Sequence, residues 1–265
     1  MEMDKLNTKK IAIIGMGHMG NALLQGFFSS GLKREQVVIS NNSSNNKKIV
    51  QQADWIILAV KPEVVRDVLE DIKEYLVDKL LISAAAGVTL SQLTADTHVK
   101  QKIVRIMPNL PVACGQGVIG IFANKYVRER AEVVLVFSLL GNVISCEKEN
   151  ELDALTIISG CGPALAAYCI NMLMYSGEKF GLRKKVSEKV AFHTFSGTIA
   201  LMNKTNQSAA ELQSAVATKR GVTEEIIKDL TKHDFYKLFV ESLMVGYVKI
   251  KKIKEEQFFW TETER

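Results

Sequence analysis

Short apolar runs recur along the first ~145 residues and are separated by segments of mixed polarity. The runs predict seven β-strands, at Lys10–Ile14, Val37–Ser40, Trp55–Val60, Leu80–Ser83, Lys102–Met107, Val118–Phe122 and Asn142–Cys146. Helical spacing predicts helices at Asn21–Ser30, Pro62–Tyr75 and Arg128–Leu140, whereas Asn41–Asn46 is polar and is predicted to be a turn. Strands that alternate with helices are typical of a doubly wound parallel sheet.

The pattern changes after Glu147, because helical periods prevail there and strand-like runs are rare. Six helices are predicted, at Glu151–Ile158, Pro163–Phe180, Val186–Asn203, Ser208–Ala217, Thr223–Thr231 and Phe235–Lys252. The sequence therefore predicts an α/β protein with two domains, a sheet domain over residues 1–150 and an all-helical domain over residues 151–265.

One helical stretch, Leu155–Tyr175, has no charged residue and has about the length that spans a bilayer. It contains Ser-Gly-Cys-Gly-Pro at residues 159–163, and these residues break a helix near the middle of the stretch. We therefore expect a buried helix and no membrane partner.

Composition and charge further limit the classes of partner that we expect for this chain. Charged residues make up 24% of the chain and the net charge is +5, without the basic stripe of a nucleic-acid-binding surface, so no nucleic-acid partner is expected. The four cysteines include no Cys-x-x-Cys pair and the four histidines are scattered, which predicts no metal site. Residues 1–10 lack the apolar core of a secretory signal, so we expect a cytoplasmic protein with reduced thiols.

A glycine-rich turn, Gly15-x-Gly17-x-x-Gly20, follows the first predicted strand and leads into a helix. In a dinucleotide-binding Rossmann domain the first glycine allows a tight turn, the second lets the backbone approach the diphosphate, and the third lets helix and strand close together. The diphosphate then lies at a helix N-terminus, where free N–H groups and the helix dipole favour negative charge. The motif predicts a dinucleotide held by Gly15, Gly17, His18, Met19 and Gly20.

The end of the second predicted strand indicates which dinucleotide is bound. An acidic residue at this place binds the ribose hydroxyls of NAD(H), but this chain has Ser40-Asn41-Asn42. A neutral end brings no like charge against a 2′-phosphate, so contacts from Ser40 and Asn41 favour NADP(H). NAD(H) stays open because no arginine follows, and Lys47 and Lys48 either add positive charge or are simply solvated.

Five segments resemble, in the same order, those of the pyrroline-5-carboxylate reductase family, whose members make proline by reducing a cyclic imine. They are the glycine loop, Ala59-Val60-Lys61-Pro62, Ser83-Ala84-Ala85-Ala86-Gly87-Val88, Arg105-Ile106-Met107-Pro108-Asn109-Leu110-Pro111 and Ser159-Gly160-Cys161-Gly162-Pro163-Ala164. Together with a later loop they extend from Ile11 to about Leu230. An ordered set of this kind is specific to the family.

The resemblance implies an N-terminal Rossmann domain, an all-helical C-terminal dimerisation domain, and NAD(P)H-dependent reduction of 1-pyrroline-5-carboxylate to L-proline. It implies a homodimer or a higher homo-oligomer, because helices of a partner subunit complete the substrate site in this family. It also implies that Lys61 and Asn109 line the nicotinamide end of the cofactor cleft, and that Ala86 and Gly87 leave room for the ring. The cofactor contacts it implies after the third, fourth and fifth strands are Ala59, Val60, Lys61, Pro62, Ala86, Gly87 and Asn109.

The family's substrate loop, Val-x-Ser-Pro-Gly-Gly-x-Thr, is similar to Val216-Ala217-Thr218-Lys219-Arg220-Gly221-Val222-Thr223. The resemblance implies a catalytic role for Thr223 at the imine nitrogen, and N–H groups near Gly221–Glu224 that hold the substrate carboxylate at a helix N-terminus. The residues it implies as contacts of the imino acid substrate are Val216, Thr218, Gly221, Val222 and Thr223.

Two residues of this loop depart from the family pattern: Lys219 stands for proline and Arg220 for glycine. If that glycine has a positive φ, arginine costs about 1–2 kcal/mol there and reshapes the loop. Alternatively, the two cations strengthen the binding of an anionic substrate.

Three functions are compatible with the sequence. The first, which we predict, is the reduction of pyrroline-5-carboxylate. The second is a dinucleotide-binding family member with lost or changed activity that acts in regulation. The late-competence branch of the family gives weight to it, since that branch has Ser-Cys-Gly-Pro and Gly-Gly-Val-Thr variants like the segments found here. The third is a reductase of the same two-domain plan with another substrate.

Overall fold

The structure, a computed structural model, describes residues 9–262, with side chains described as far as residue 256. Residues 1–8, on which the expectation about a secretory signal largely rests, lie outside the described residues. The chain forms two compact units, one made of the residues up to Pro163 together with those from Gly246 onward, and the other made of Ala164–Val245. The domain boundary at residue 150 stays a prediction.

The first unit contains a seven-stranded sheet with the strand order β2-β1-β3-β4-β5-β6-β7. Neighbouring strands are parallel except β5 and β6, which pair antiparallel. All seven predicted strands are present, as β1 (Ile11–Ile14), β2 (Val37–Ser40), β3 (Trp55–Leu58), β4 (Leu80–Ser83), β5 (Lys102–Pro108), β6 (Gly117–Ala123) and β7 (Gly141–Ser145).

The expectation of a parallel sheet is wrong at β6. A parallel connection needs a crossover of a dozen residues or more. Here β5 is followed at once by the short 3₁₀ turn Leu110–Cys114 and by Gly115, which has a φ of +70°. The chain therefore turns back beside β5 instead of crossing over the sheet.

Helices cover both faces of the sheet, which explains why the central strands are apolar throughout. In β1, Ile11 and Ile13 belong to one buried cluster and Ala12 and Ile14 to the other. The helices of this unit are α1 (His18–Ser29), α2 (Ser43–Gln51), α3 (Val65–Ile72), α4 (Leu90–Ala95), α5 (Arg130–Ser138) and α6 (Glu151–Leu155).

The polar segment Asn41–Asn46 begins a helix, so its prediction as a turn is wrong. The Asn42 side chain accepts a hydrogen bond from the Ser44 amide at 3.2 Å and caps α2, which is a position that asparagine favours. Only Asn46, Ile49 and Val50 of this helix are buried. A short helix with so narrow a buried face has little of the periodicity that reveals longer helices.

The remaining helices follow the π-helical turn Thr156–Gly160, which interrupts regular α-helix where Ser-Gly-Cys-Gly-Pro had been expected to break it. They agree with the predicted helices to within a few residues at each end, except that the last helix, predicted to end at Lys252, continues ten residues further to Glu262. Their bounds are α7 (Gly162–Lys179), α8 (Lys184–Thr205), α9 (Ala209–Val216), α10 (Val222–Lys232) and α11 (Phe235–Glu262).

The run Glu151–Lys179 is 29 residues long and contains an 18-residue window with a mean hydropathy of 1.5, so it is long and apolar enough to cross a membrane by length and composition alone. The prediction that Leu155–Tyr175 is buried is wrong within a single chain, because Tyr168, Leu173 and Tyr175 are exposed. Apolar composition is the same for a helix face that packs within its own chain and for a face that another molecule covers, so it does not distinguish the two.

Candidate dinucleotide site and substrate loop

The glycine loop leaves β1 between the ends of the two strands that flank it. The Gly15 amide donates to the Ser40 carbonyl at the end of β2 (2.9 Å), and the Ala59 amide, just after β3, donates to the Ile14 carbonyl (2.8 Å). Because β2 and β3 lie on opposite sides of β1, the chain reverses its direction of winding at this point. Doubly wound sheets bind their ligands in the crevice outside the strand ends at such a switch point.

The three positions of the loop favour glycine for different structural reasons. Gly15 has a φ of +97°, and a Cβ there would lie 2.6 Å from the Ala59 carbonyl oxygen. A Cβ on Gly20 would lie 1.9 Å from the Gly15 carbonyl oxygen. Gly17 has an ordinary extended backbone, and a Cβ there would meet no atom within 4 Å. The protein's own packing requires the first and third glycines, whereas open space lies beside the second, as a diphosphate cradle needs.

The N-terminus of α1 supplies hydrogen-bond donors to this space. Helix geometry leaves the amides of His18, Met19 and Gly20 without intrahelical acceptors, and the first turn contains no acidic residue. His18 is exposed, whereas Met19 is half-buried and packs against the apolar cluster. An anion at this place meets free N–H groups and the positive end of the helix dipole.

Asn21 braces the glycine loop, a role that the sequence analysis missed. Its side-chain Nδ2 donates to the carbonyls of Met16 (2.7 Å) and Gly17 (3.0 Å), which fixes the turn. The signal was a polar side chain directly after the third glycine, at the start of an otherwise apolar helix.

At the end of β2 the predicted residues differ in accessibility. Ser40 is buried and its Oγ donates to the Asn42 carbonyl at 2.7 Å, whereas Asn41 is exposed. Lys47 pairs with Asp71 at 3.1 Å, and the hydrogen bond to that carboxylate raises the pKa of Lys47. The Lys47 charge is thus engaged with Asp71, and Lys48 is exposed.

The loops after β3 and β4 lie side by side, because the Ala84 amide donates to the Leu58 carbonyl at 2.9 Å. Ala59, Val60 and Ala86 are half-buried, while Lys61 is exposed and precedes Pro62, the first residue of a 3₁₀ turn. Gly87 is buried, and a Cβ there would lie 2.7 Å from Ile253 Cγ2. Ile253 of α11 therefore fills the space beside Gly87, and a role for this glycine beside the nicotinamide ring stays a prediction.

Asn109, at the end of β5, is buried and its side chain is engaged at both ends. Its Oδ1 accepts from the Val118 amide at 2.8 Å, and its Nδ2 donates to the Ser159 carbonyl at 3.2 Å. Asn109 thereby ties the turn after β5 to the π-helical turn. The Ser159 Oγ is buried and has no hydrogen-bond partner among the residues described.

The buried Arg105 was noted in the sequence only as part of a motif. Its Nη1 donates to Glu149 Oε1 at 2.7 Å, and the same oxygen accepts from the Leu90 amide at 2.6 Å. The signal was an arginine inside an otherwise apolar strand. Within residues 9–262, no group of three His, Cys, Asp or Glu side chains is placed to hold a metal ion.

The predicted substrate-loop residues come together in one turn of the second unit. The Thr218 amide donates to the Val216 carbonyl (3.0 Å) and the Gly221 amide to the Thr218 carbonyl (2.8 Å). Gly221 is the N-cap of α10, whose first turn contains Val222 and the half-buried Thr223. A Cβ on Gly221 would lie 2.6 Å from Thr218 Oγ1, so the turn needs this glycine.

Two family models match parts of the chain. Residues 149–253 match the model described as pyrroline-5-carboxylate reductase dimerisation. Residues 10–49 and 41–87 match the model described as NADP oxidoreductase, coenzyme F420-dependent. A pyrroline-5-carboxylate reductase of Synechocystis sp. is 34% identical over 194 residues, which are 72% of this chain and 72% of that protein. The chain belongs to the pyrroline-5-carboxylate reductase family.

Other members of the pyrroline-5-carboxylate reductase family match over nearly the whole length. The Pseudomonas aeruginosa protein is 28% identical over 272 aligned positions, which cover 95% of this chain and 99% of that protein. A pyrroline carboxylate reductase of Plasmodium falciparum, solved with NADP bound, has a TM-score of 0.87 and 30% identity, covering 94% of this chain and 99% of that one.

The departure from the family loop at Arg220 has a defined geometry. Arg220 has a φ of +62°, so arginine adopts the left-handed conformation considered above for the family's glycine. Its side chain is exposed, and its amide donates to Glu224 Oε2 at 2.6 Å. This backbone hydrogen bond, followed by the hydrogen bond from Lys228, lowers the pKa of Glu224. A hydrogen-bonded turn thus forms in this chain with lysine and arginine at the two positions.

Proposed function

We propose that this chain reduces 1-pyrroline-5-carboxylate to L-proline with a nicotinamide dinucleotide as the hydride donor. The observation that carries the proposal is the open cradle at Gly17, at the N-terminus of α1, in a chain that also has the Val216–Thr223 turn. The relatives named above carry the same reductase name, which favours this function over the regulatory alternative.

NADP(H) is the dinucleotide that the end of β2 favours. Asn41 is exposed, it precedes Asn42, the N-cap of α2, and the first turn of α2 has no acidic residue. A 2′-phosphate at this place meets a helix N-terminus and no like charge. The NADP in the Plasmodium falciparum relative supports the same choice. NAD(H) is the alternative, and the ratio of the two dissociation constants decides between them.

The proposed hydride transfer requires this chain to bind and orient the cofactor and the substrate more than it requires reactive side chains. A bound reduced nicotinamide supplies the hydride. We assign the Thr223 hydroxyl to a hydrogen bond with the imine nitrogen, where it helps place the proton. The amides of Val222, Thr223 and Glu224, which helix geometry leaves without intrahelical acceptors, hold the substrate carboxylate. The exposed charges of Lys219 and Arg220 add attraction for that anion.

The assembly we propose is a homodimer at minimum, in the cytoplasm. Large apolar side chains of the second unit are exposed in the single chain, including Tyr168, Leu173, Phe192 and Val222. Surfaces of this kind mark subunit interfaces, and residues 149–253 match a dimerisation model. The four cysteines form no disulfide, as a reducing compartment allows.

The test is the oxidation of NADPH and NADH with synthetic pyrroline-5-carboxylate, with proline measured as the product. The Thr223→Ala variant loses the hydroxyl, and Thr223→Ser keeps it as the matched control. We expect kcat/KM to fall about 100-fold in Thr223→Ala and less than about fivefold in Thr223→Ser. Tight NADPH binding without turnover by the wild type would instead support the regulatory function.

A further inference from the structure

We propose that Ile253 and Lys254, near the end of α11, are positioning residues that hold the loop after β4 in the shape that accepts the nicotinamide half of the cofactor. The inference rests on the proposed function, because it assigns a task to the loop that contains Ala86 and Gly87. It adds two residues that the family segments quoted above do not include.

The first observation is the contact between α11 and the loop. A Cβ on Gly87 would lie 2.7 Å from Ile253 Cγ2 and 3.3 Å from Ile253 Cβ, so the isoleucine side chain packs directly on the glycine. Ile250, one helical turn earlier, is 7% exposed. Gly87 has a φ of +79°, so its backbone conformation depends on the absence of a side chain. A shift of Ile253 therefore displaces the backbone of Gly87 directly, because no flexible side chain lies between the two residues to absorb the movement.

The second observation is that α11 is anchored at Lys254, the residue that follows Ile253. Lys254 donates through Nζ to Asp153, whose side chain is 7% exposed, and the Lys254 carbonyl accepts from Gln92 Nε2 at 3.4 Å. Gln92 also forms a capping box with Thr89, which fixes the start of α4 just after Gly87. The Lys254 ion pair thus sets the position along α11 at which Ile253 meets the loop.

Both ends of the same loop are held by further hydrogen bonds. Glu149 accepts from the Leu90 amide and from the buried Arg105, so the start of α4 is fixed to β5. The Ala84 amide is fixed to β3 through the Leu58 carbonyl. Between these two anchors, Gly87 is in contact with Ile253 of α11. The carboxyl end of β4 is where a doubly wound sheet presents residues to its ligand.

The contacts given for Ile253 and Lys254 are with Gly87, Asp153 and Gln92, on the side of the expected cofactor site where the resemblance places the nicotinamide. The glycine loop is held by separate hydrogen bonds, to Ser40 and to the residue that follows β3. The end of β2 is held by Asn42 and α2. A change at Ile253 or Lys254 is therefore expected to displace the nicotinamide half and to leave the adenosine half in place. Displacements of about 1 Å suffice to slow hydride transfer, because the reacting carbons need near-attack geometry.

The experiment compares two probes in the full-length protein. NADPH spans the whole site, whereas 2′,5′-ADP represents only the adenosine half with its 2′-phosphate. The variants are Ile253→Ala, which removes the contact with Gly87, and Lys254→Met, which removes the ion pair with Asp153. Lys252→Met is the matched control, because it removes an exposed cation from the same helical turn.

We expect Ile253→Ala and Lys254→Met to raise the Kd for NADPH about fivefold and to lower kcat about tenfold, with the Kd for 2′,5′-ADP changed less than about twofold. Lys252→Met should match the wild type. Equal weakening of both probes, or no change in either, overturns the inference. Should Ile253→Ala fail to fold, Ile253→Val tests the same contact with a smaller effect of the same sign. A wild type that binds 2′,5′-ADP and NADPH but reduces no pyrroline-5-carboxylate contradicts the proposed function. In that case the Kd values for the two probes still test whether Ile253 and Lys254 shape the nicotinamide half of the site, and the expectation for kcat no longer applies.

Discussion

The glycine loop and the substrate loop each contain a residue with a positive φ, Gly15 and Arg220, yet only the position of Gly15 requires glycine. Gly15 has a φ of +97°, outside the left-handed region that other residues visit, and a Cβ there would collide with the Ala59 carbonyl oxygen. Arg220 has a φ of +62°, inside that region, and its side chain is exposed. At Gly15 conformation and packing both exclude a side chain, whereas at Arg220 only the conformational energy opposes it.

This difference explains how the two loops tolerate change. At Gly15 and Gly20 a Cβ would meet backbone carbonyl oxygens, so a substitution at either position of the glycine loop displaces backbone atoms. At Arg220 the substrate loop is held by the hydrogen bond to Glu224 and the side chain is exposed, so a substitution at this position changes charge and local strain. A departure from a family glycine therefore has to be judged by its φ and its neighbours, and not by the identity of the residue alone.

The largest effect is expected from Gly20→Ala. The new Cβ would lie 1.9 Å from the Gly15 carbonyl oxygen, which forces the helix and the loop apart. We expect the free energy of unfolding to fall by about 3 kcal/mol and the Kd for NADPH to rise at least about 100-fold. Chemical denaturation and a fluorescence titration measure these quantities, and a near-normal Kd in a folded variant would contradict the packing described here.

A smaller effect that separates binding from stability is expected from Gly17→Ala. Its Cβ meets no protein atom and its φ is ordinary, so the free energy of unfolding should change by less than about 0.5 kcal/mol. The methyl group nevertheless occupies space assigned to the diphosphate, so the Kd for NADPH should rise about tenfold or more. An unchanged Kd would place the diphosphate elsewhere.

In the substrate loop, Arg220→Gly and Arg220→Ala separate strain from charge. Glycine relieves the left-handed strain, so we expect Arg220→Gly to be about 1 kcal/mol more stable than Arg220→Ala, which keeps the strain. Both variants lose the cation, so both should raise the KM for pyrroline-5-carboxylate about threefold, and less at high salt. Equal stability of the two would show that the wild-type φ carries no strain.

The smallest effect concerns Glu224 and pH. The Arg220 amide lowers the pKa of Glu224 below its ordinary value of 4.5, so the folded state favours the ionised carboxylate. The stabilisation is therefore present above that ordinary value and is lost as the pH falls through the lowered pKa. In Glu224→Gln this part of the acid dependence should disappear. Unfolding transitions recorded at about pH 6 and about pH 3.5 check it, and an identical acid dependence in both proteins would contradict it.

Sequence reasoning predicted best what depends on many apolar residues at once. Each central strand is buried on both faces, so its position could be predicted from its composition alone. The helix α2 was missed because a single capping asparagine and three buried residues define it. The antiparallel β6 was missed because its direction depends on the turn after β5, where no helix intervenes.

The candidate site was predicted unevenly for related reasons. Gly15 and Gly20 meet the packing constraints that the motif predicts, and open space lies beside Gly17. The support of Gly87 by Ile253, 166 positions later in the chain, depends on tertiary packing that no local pattern contains. The exposure of the apolar side chains of the second unit could not be predicted either, because apolar composition is the same whether a residue is buried within its own chain or lies on the surface.

The central proposal is that this chain moves a hydride from a nicotinamide dinucleotide to a cyclic imine, and one isotope measurement tests it most directly. The wild type is incubated with pyrroline-5-carboxylate and NADPH that carries two deuterium atoms at nicotinamide C4, and the proline formed is examined by mass spectrometry. We expect one deuterium in each proline, at the former imine carbon, in proportion to the cofactor consumed. Unlabelled proline, or no proline from a protein that binds NADPH tightly, would contradict the proposal.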